Sequence, residues 1–199
     1  MVGMAQASAR DRILETAARL FYQDGFRATG IDKIIAESEV AKMSLYRHFA
    51  SKNDLITAFL ERRHDFWMQW FTEEVEARFA ERPGLAVIAD ALGVWFAQAD
   101  FRGCAFINMV AEAGSTGDAT HLQQAVAHKK SLETYIETLA RRIGLEDAAT
   151  VAADAMLCIE GMIVRYQMTH GPAIVESGKR VLGHIEGAAR PAKKTARAA

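Results

Sequence analysis

Little in this sequence interrupts a helix, and little in it marks a secreted or membrane-bound chain. Only three prolines occur in 199 residues, at positions 83, 172 and 191, so long stretches lack the residue that breaks helices most strongly. An all-α fold is the expectation. Two cysteines, Cys104 and Cys158, are too few and too far apart for a disulfide framework and are expected as thiols in a reducing cytoplasm. Charges interrupt every apolar run well before the roughly 20 residues that a bilayer-spanning helix needs. The N-terminus lacks the continuous apolar stretch of a secretory signal. The body has no internal repeat, no nucleophile–base pair and no metal-ligand constellation.

What is present is ordinary globular material: 50% hydrophobic and 25% charged residues, enough to bury a real core. The net charge of −1 is unevenly distributed: +2 over residues 1–52, −7 over 53–189 and +4 over 190–199. An acidic body with basic ends fits a chain that meets a polyanion with part of its surface. Chance variation among solvated faces would produce the same imbalance.

Apolar residues at three- and four-residue steps, with glycine as punctuation, predict helices over about 9–24, 30–38, 41–48, 52–80, 85–99, 105–114, 119–143, 147–169 and 173–188. Thr29 with Asp32, and Ser51 with Asp54, each read as a capping box with Asp in the place of Glu. Residues 190–199 reduce to Ala, Lys, Arg and Pro and are expected to be a disordered basic tail. Its charge is either a nonspecific attraction for phosphate or an inert solvated end.

The segment 29–52, TGIDKIIAESEVAKMSLYRHFASK, carries the functional signal. Two short helices meet at a tight turn near Glu39-Val40. Leu45 and Phe49, one turn apart, are expected to be buried with Val40, leaving Lys42, Met43, Ser44, Tyr46, Arg47 and His48 outward. Between 42 and 52 there are three fixed positive charges and no acid. A helix this short and basic, with side chains able to read base edges, has the profile of one that enters a DNA major groove.

On these residues the chain resembles the TetR family of transcriptional regulators. The matching features are Gly25-Phe26, Thr29, the turn valine Val40, and Leu45-Tyr46-Arg47-His48-Phe49 followed by Ser51-Lys52; they cover roughly residues 9–60. The resemblance implies an N-terminal helix-turn-helix domain over 1–52 and a helical ligand-binding and dimerisation domain over 53–189. It implies phosphate contacts from Tyr46, His48 and Lys52, with Thr29 also touching the DNA backbone, and base contacts from Lys42, Met43, Ser44 and Arg47. Arg47 suits guanine O6 and N7, and Met43 a thymine methyl. Three positions depart from the family pattern: Glu39 stands where the turn often has glycine, Ala41 where the next helix often starts with Ser, and Met43 where a small residue is common.

The resemblance further implies a homodimer formed through helices 147–169 and 173–188. Ala152, Ala155, Met156, Ile159, Met162, Ile163 and Tyr166 make a broad apolar face there, and Gly161 allows close approach; the same face would also suit an internal core helix. It implies a small apolar or amphipathic ligand among aromatic and methionine side chains: Trp67, Trp70, Phe71, Trp95, Phe96, Phe101, Phe106, Met109, Met156 and Tyr166. A core of this size needs such residues anyway, and core packing explains each of them more readily. Ligand binding would then shift the fourth helix and release a palindromic operator, the behaviour of a repressor. No cofactor and no catalysis are expected, and the chain is placed in the cytoplasm. A small helical enzyme using the aromatic cavity, or a helical protein-interaction adaptor, are the alternatives.

Other motifs carry less. His121 and His128 sit two helical turns apart without a third metal ligand. Cys104 beside Arg102 reads as either an activated or a buried inert thiol. Gly178-Lys179 and the stretch Gly114–Gly117 lack the spacing of a phosphate loop and of a nucleophile elbow.

Overall fold

The structure is a computed structural model in which residues 7–114 and 117–191 are described. Among them are nine α-helices and no strand: α1 (Ala9–Asp24), α2 (Ile31–Ser38), α3 (Lys42–His48), α4 (Lys52–Glu81), α5 (Ala86–Phe96), α6 (Ala105–Ala113), α7 (Ala119–Arg142), α8 (Ala148–Thr169) and α9 (Ala173–Ala188). The all-α expectation holds. The basic tail beyond Pro191, and Ser115 and Thr116 of the glycine-flanked stretch, lie outside the described residues. No described helix is long and apolar enough to cross a membrane.

Local chemistry sets most helix ends. Ser8 caps α1 by accepting the Asp11 N–H at 3.1 Å, and Ser51 does the same for Asp54 at 3.1 Å at the start of α4. Gly25, at φ +93°, turns the chain out of α1. The capping box expected at Thr29 does not form. Gly30 is the N-cap of α2 and provides no side-chain bond, while the Thr29 hydroxyl turns back to the carbonyls of Gly25 (2.7 Å) and Leu20 (3.2 Å). Burial decides this, since the Thr29 side chain is fully enclosed and satisfies its hydrogen bonding at the end of α1. Helix α5 stops at Phe96, three residues short of expectation. Tighter i→i+3 bonds, Gln98 to Trp95 and Phe101 to Gln98, bend the chain so that Phe101 is buried against Trp95 and Phe96.

The chain divides into two compact units. Among the described residues, the first comprises those up to Trp67 together with those between Cys104 and His128. Its core is built from Ile13, Ala17, Leu20 and Phe21 of α1, Ile34 of α2, Leu45 of α3, and Leu55 and Phe59 of α4. The Phe21 and Phe26 rings stack with centroids 5.4 Å apart, and Phe59 tilts against both. Parts of α6 and α7 belong to this unit because they bond its backbone directly. The Glu112 carboxylate accepts the Arg27 N–H at 2.9 Å, Gln124 donates to the Thr57 carbonyl at 3.1 Å, and His121 Nε2 lies 3.1 Å from the Asn53 carbonyl. The boundary expected between residues 52 and 53 falls inside this unit.

The second unit comprises Met68–Gly103 and the described residues from Lys129 onward. Here α5, α8 and α9 pack together around Leu85, Ile88, Leu92, Ile159 and Leu182, with Ile136 and Leu139 of α7 also buried. Glu76 of α4 holds Arg142 of α7 through two oxygens, at 2.6 and 3.0 Å, and accepts the Tyr135 hydroxyl at 3.2 Å. Arg142 also lies over the Phe79 ring, 4.4 Å from its centroid.

Candidate nucleic-acid interface

The turn between α2 and α3 is made by Glu39, a left-handed residue at φ 54° and ψ 42°, followed by half-buried Val40 and the N-cap Ala41, which offers no side-chain bond. Leu45 is 0% exposed and Phe49 is buried, so α3 is pinned to the first unit by its inner face. Everything else on this helix points away. Met43 is 75% and Tyr46 42% exposed, Lys42, Arg47 and His48 are exposed, and Ser44 is half-buried. Lys52 lies half-buried in the first turn of α4. Burial pushes the Lys52 ammonium below its ordinary pKa, and the Glu112 carboxylate pulls it back up.

Of the side chains singled out for DNA contact, Thr29 alone is fully buried. The surface keeps its positive character because its acids are few. Asp32 reaches Lys42 at a loose 3.5 Å, while Arg47 makes no ion pair among the described residues. Two other cations of the domain are neutralised in place, Arg19 by Glu37 at 2.5 Å and Lys33 by Asp24 at 2.7 Å.

The aromatic residues expected to line one pocket fall into separate groups. In the first unit, His128 is the hub: Phe106 stacks on it with centroids 3.9 Å apart, Trp67 meets it edge-on, and His64 Nδ1 lies 3.0 Å from His128 Nδ1. Met109 is buried in the same unit. In the second unit, Trp95, Phe96, Phe101 and Tyr166 form a cluster in which Phe96 and Tyr166 stack at 4.5 Å, and Phe71 meets Tyr135 edge-on. Met156 is buried there and Trp70 is half-buried. His121 and His128 do not converge on a common point, and no group of three metal-ligating side chains occurs among the described residues.

The face of α8 singled out from sequence is internal. Ala152, Ala155, Met156, Ile159, Met162 and Ile163 are buried in the core of the second unit. The reason is geometric: they form the stripe that α5 and α9 cover, so they are spent within one chain. The exposed apolar face is the other one, with Leu157 73% and Met168 76% exposed beside Val164 and the Val181 of α9. Gly161 opens this face, with no atom within 4 Å of where a Cβ would stand. A groove of about 390 Å³ runs between α8 and α9, bordered by Leu157, Gly161, Ile174 and Val181.

Residues 13–59 match the model for bacterial regulatory proteins of the tetR family. The chain is 27% identical over 165 residues to the HTH-type transcriptional regulator LmrA of Bacillus subtilis, spanning 81% of this chain and 87% of that protein. It is 34% identical to the HTH-type transcriptional regulator QacR of Staphylococcus aureus over 70 residues, 35% of this chain and 37% of QacR. A TetR-family transcriptional regulator from Streptomyces coelicolor superposes with a TM-score of 0.78 at 27% identity, over 91% of this chain and 95% of that one. Residues 13–59 are thus a tetR-family domain, and the chain as a whole is similar to transcriptional regulators of that family.

It is therefore a helix-turn-helix transcriptional regulator and not an enzyme. The matched segment contains all eight side chains singled out for DNA contact, from Thr29 to Lys52. In this chain the segment is braced by a residue that no local pattern reveals. Glu112 of α6 binds the Arg27 N–H, and its carboxylate oxygen stands 3.0 Å from the position a Gly25 Cβ would occupy. The Arg27 and Glu112 partners are 85 positions apart, so only the tertiary fold brings them together.

Proposed function

We propose that this regulator binds a palindromic DNA operator as a homodimer, represses the adjoining promoter, and is released by a small apolar or amphipathic ligand. The observation that carries the DNA reading is the exposed polar face of α3 over the buried Leu45–Phe49 pair. A seven-residue helix held this way enters the major groove with its outer side chains at the base edges. Lys42, Met43, Ser44 and Arg47 read bases, and Tyr46, His48 and Lys52 seat the domain on phosphates. Thr29, its hydroxyl bonded to Leu20 and Gly25, fixes where α2 begins; the phosphate contact there falls to the uncapped first-turn N–H groups of α2.

One such helix reads too few bases, whereas two on a twofold axis, about 34 Å apart, read a palindrome. The exposed Leu157, Val164 and Met168 of α8, with Val181 of α9, suit the mating face of a dimer, and Gly161 admits a partner helix closely. A dimer seated on a promoter-proximal operator excludes polymerase, which is the physical basis for repression. Trp67, Phe106 and Met109 in the first unit, and Trp70, Phe71, Trp95, Phe96, Met156 and Tyr166 in the second, are the candidate ligand contacts. A ligand preferring one packing of these helices shifts α4 and with it the operator affinity. The site of action is the cytoplasm.

The test is selection of genomic fragments by the purified, ligand-free protein at low salt, with sedimentation to fix its dimeric state. A recovered palindrome is the expected result. Tyr46→Ala combined with Lys52→Ala should weaken binding to every sequence and flatten its salt dependence by about 0.9 for each phosphate charge left unneutralised. Failure to retain any fragment, or a strictly monomeric protein, overturns the reading. A compound that binds tightly while leaving operator affinity unchanged overturns the release mechanism.

A further inference from the structure

We propose that Arg10, in the first turn of α1, is an additional contact to the DNA backbone, presented beside α3 by the ring of Phe49. This inference rests on the operator-binding reading above. The guanidinium carbon of Arg10 lies 5.2 Å from the Phe49 ring centroid. Phe49 is the residue that ends α3: its N–H bonds the Leu45 carbonyl at 2.9 Å, and it sits between His48 and the Ser51-Lys52 start of α4. A cation parked on that ring is therefore next to the exposed end of α3, although it belongs to the first helix of the chain.

Three features make this arginine available for phosphate. It is exposed. It makes no ion pair among the described residues, in contrast to Arg19, Lys33 and Lys42 of the same domain, which each face a carboxylate. The nearest acid in sequence, Asp11, accepts the Ser8 hydroxyl at 2.6 Å and feels the Arg10 charge without forming an ion pair with it. The aromatic face engages the guanidinium through its π-cloud, so the in-plane N–H groups stay open for a bidentate phosphate contact. The competing view, that Arg10 only covers Phe49, predicts an effect on folding and none on salt dependence.

The contact is sequence-independent, so it can be measured on a mixed-sequence DNA duplex as well as on the operator. The full chain is compared with Arg10→Gln and Arg10→Lys by titration across a range of salt concentrations, with melting temperatures recorded in parallel. Arg10→Gln should reduce the slope of log affinity against log salt by about 0.9 for each protomer bound, and weaken binding at 0.1 M salt by about tenfold for each phosphate involved. Arg10→Lys, which keeps the charge, should retain most of the slope. If Arg10→Gln binds with the wild-type slope, or only more weakly at the same slope, the proposal is overturned and the residue is structural. If the wild-type chain itself binds no duplex, the operator-binding reading falls and takes this proposal with it.

Discussion

Glu39 occupies the left-handed region, at φ 54° and ψ 42°, where a Cβ crowds the backbone. It is exposed and makes no ion pair among the described residues, so its side chain contributes little to offset that crowding. A non-glycine residue in this conformation costs about 1–2 kcal/mol. Glycine relieves this but returns about 0.4–1 kcal/mol through the greater freedom of the unfolded chain. Glu39→Gly should therefore stabilise the protein by about 0.5–1 kcal/mol, equivalent to a rise in Tm of about 1–4 °C for a chain of this length. Glu39→Ala is the control, because it removes the carboxylate and keeps the Cβ. Urea and thermal unfolding of the three proteins, followed by far-UV circular dichroism, should place Gly about 1 kcal/mol above Ala. If Ala is as stable as Gly, the strain assigned to this turn is absent, and any gain came from removing a charge.

Thr29→Val keeps the volume but deletes the buried hydroxyl shared by the Leu20 and Gly25 carbonyls, and should cost about 1–2 kcal/mol, read as a lower urea midpoint. Glu76 is held below its ordinary pKa chiefly by its hydrogen bonds from Arg142; burial opposes this, and the Tyr135 hydroxyl adds a smaller lowering. A depressed carboxylate stabilises the fold above its unfolded pKa and loses that contribution as the pH falls through the folded value. Glu76→Gln should accordingly be less stable than wild type by roughly 0.5–1 kcal/mol at pH 7, discounted for a pair that is substantially exposed. The gap should narrow as the pH falls below the ordinary carboxylate range; a gap that stays constant in acid unfolding curves would show that the loss is one of packing.

The helices and the DNA-binding segment were legible because their signals are local. Periodicity of 3.6, the hydroxyl of Ser51 one turn from the N–H of Asp54, and Leu45 and Phe49 one turn apart all act within a few residues, where sequence distance and spatial distance agree. The candidate face of α3 could be read the same way, since on a seven-residue helix buried Leu45 and the buried C-cap Phe49 leave little choice for the others. Thr29 shows where this fails. Its capping pattern was present, but a bond to the end of α1 competed for the same hydroxyl and burial favoured it.

What the sequence determined by itself was therefore the helical architecture and the short basic helix with its buried Leu45–Phe49 pair. The tertiary structure decided which apolar face of α8 is covered. That helix carries two such faces, and only its packing with α5 and α9 leaves Ala155 and Ile159 buried and Leu157 and Met168 exposed. It also assigned Trp67 and Phe106 to one unit and Trp95 and Tyr166 to another, and brought Glu112 against Gly25 and Arg27. The physical reason is common to the first two, while the Glu112 bond joins groups 85 positions apart that no local pattern pairs. Hydrophobic burial is non-directional, so an apolar residue specifies that it will be covered without specifying by what; that partner is chosen only when distant segments pack.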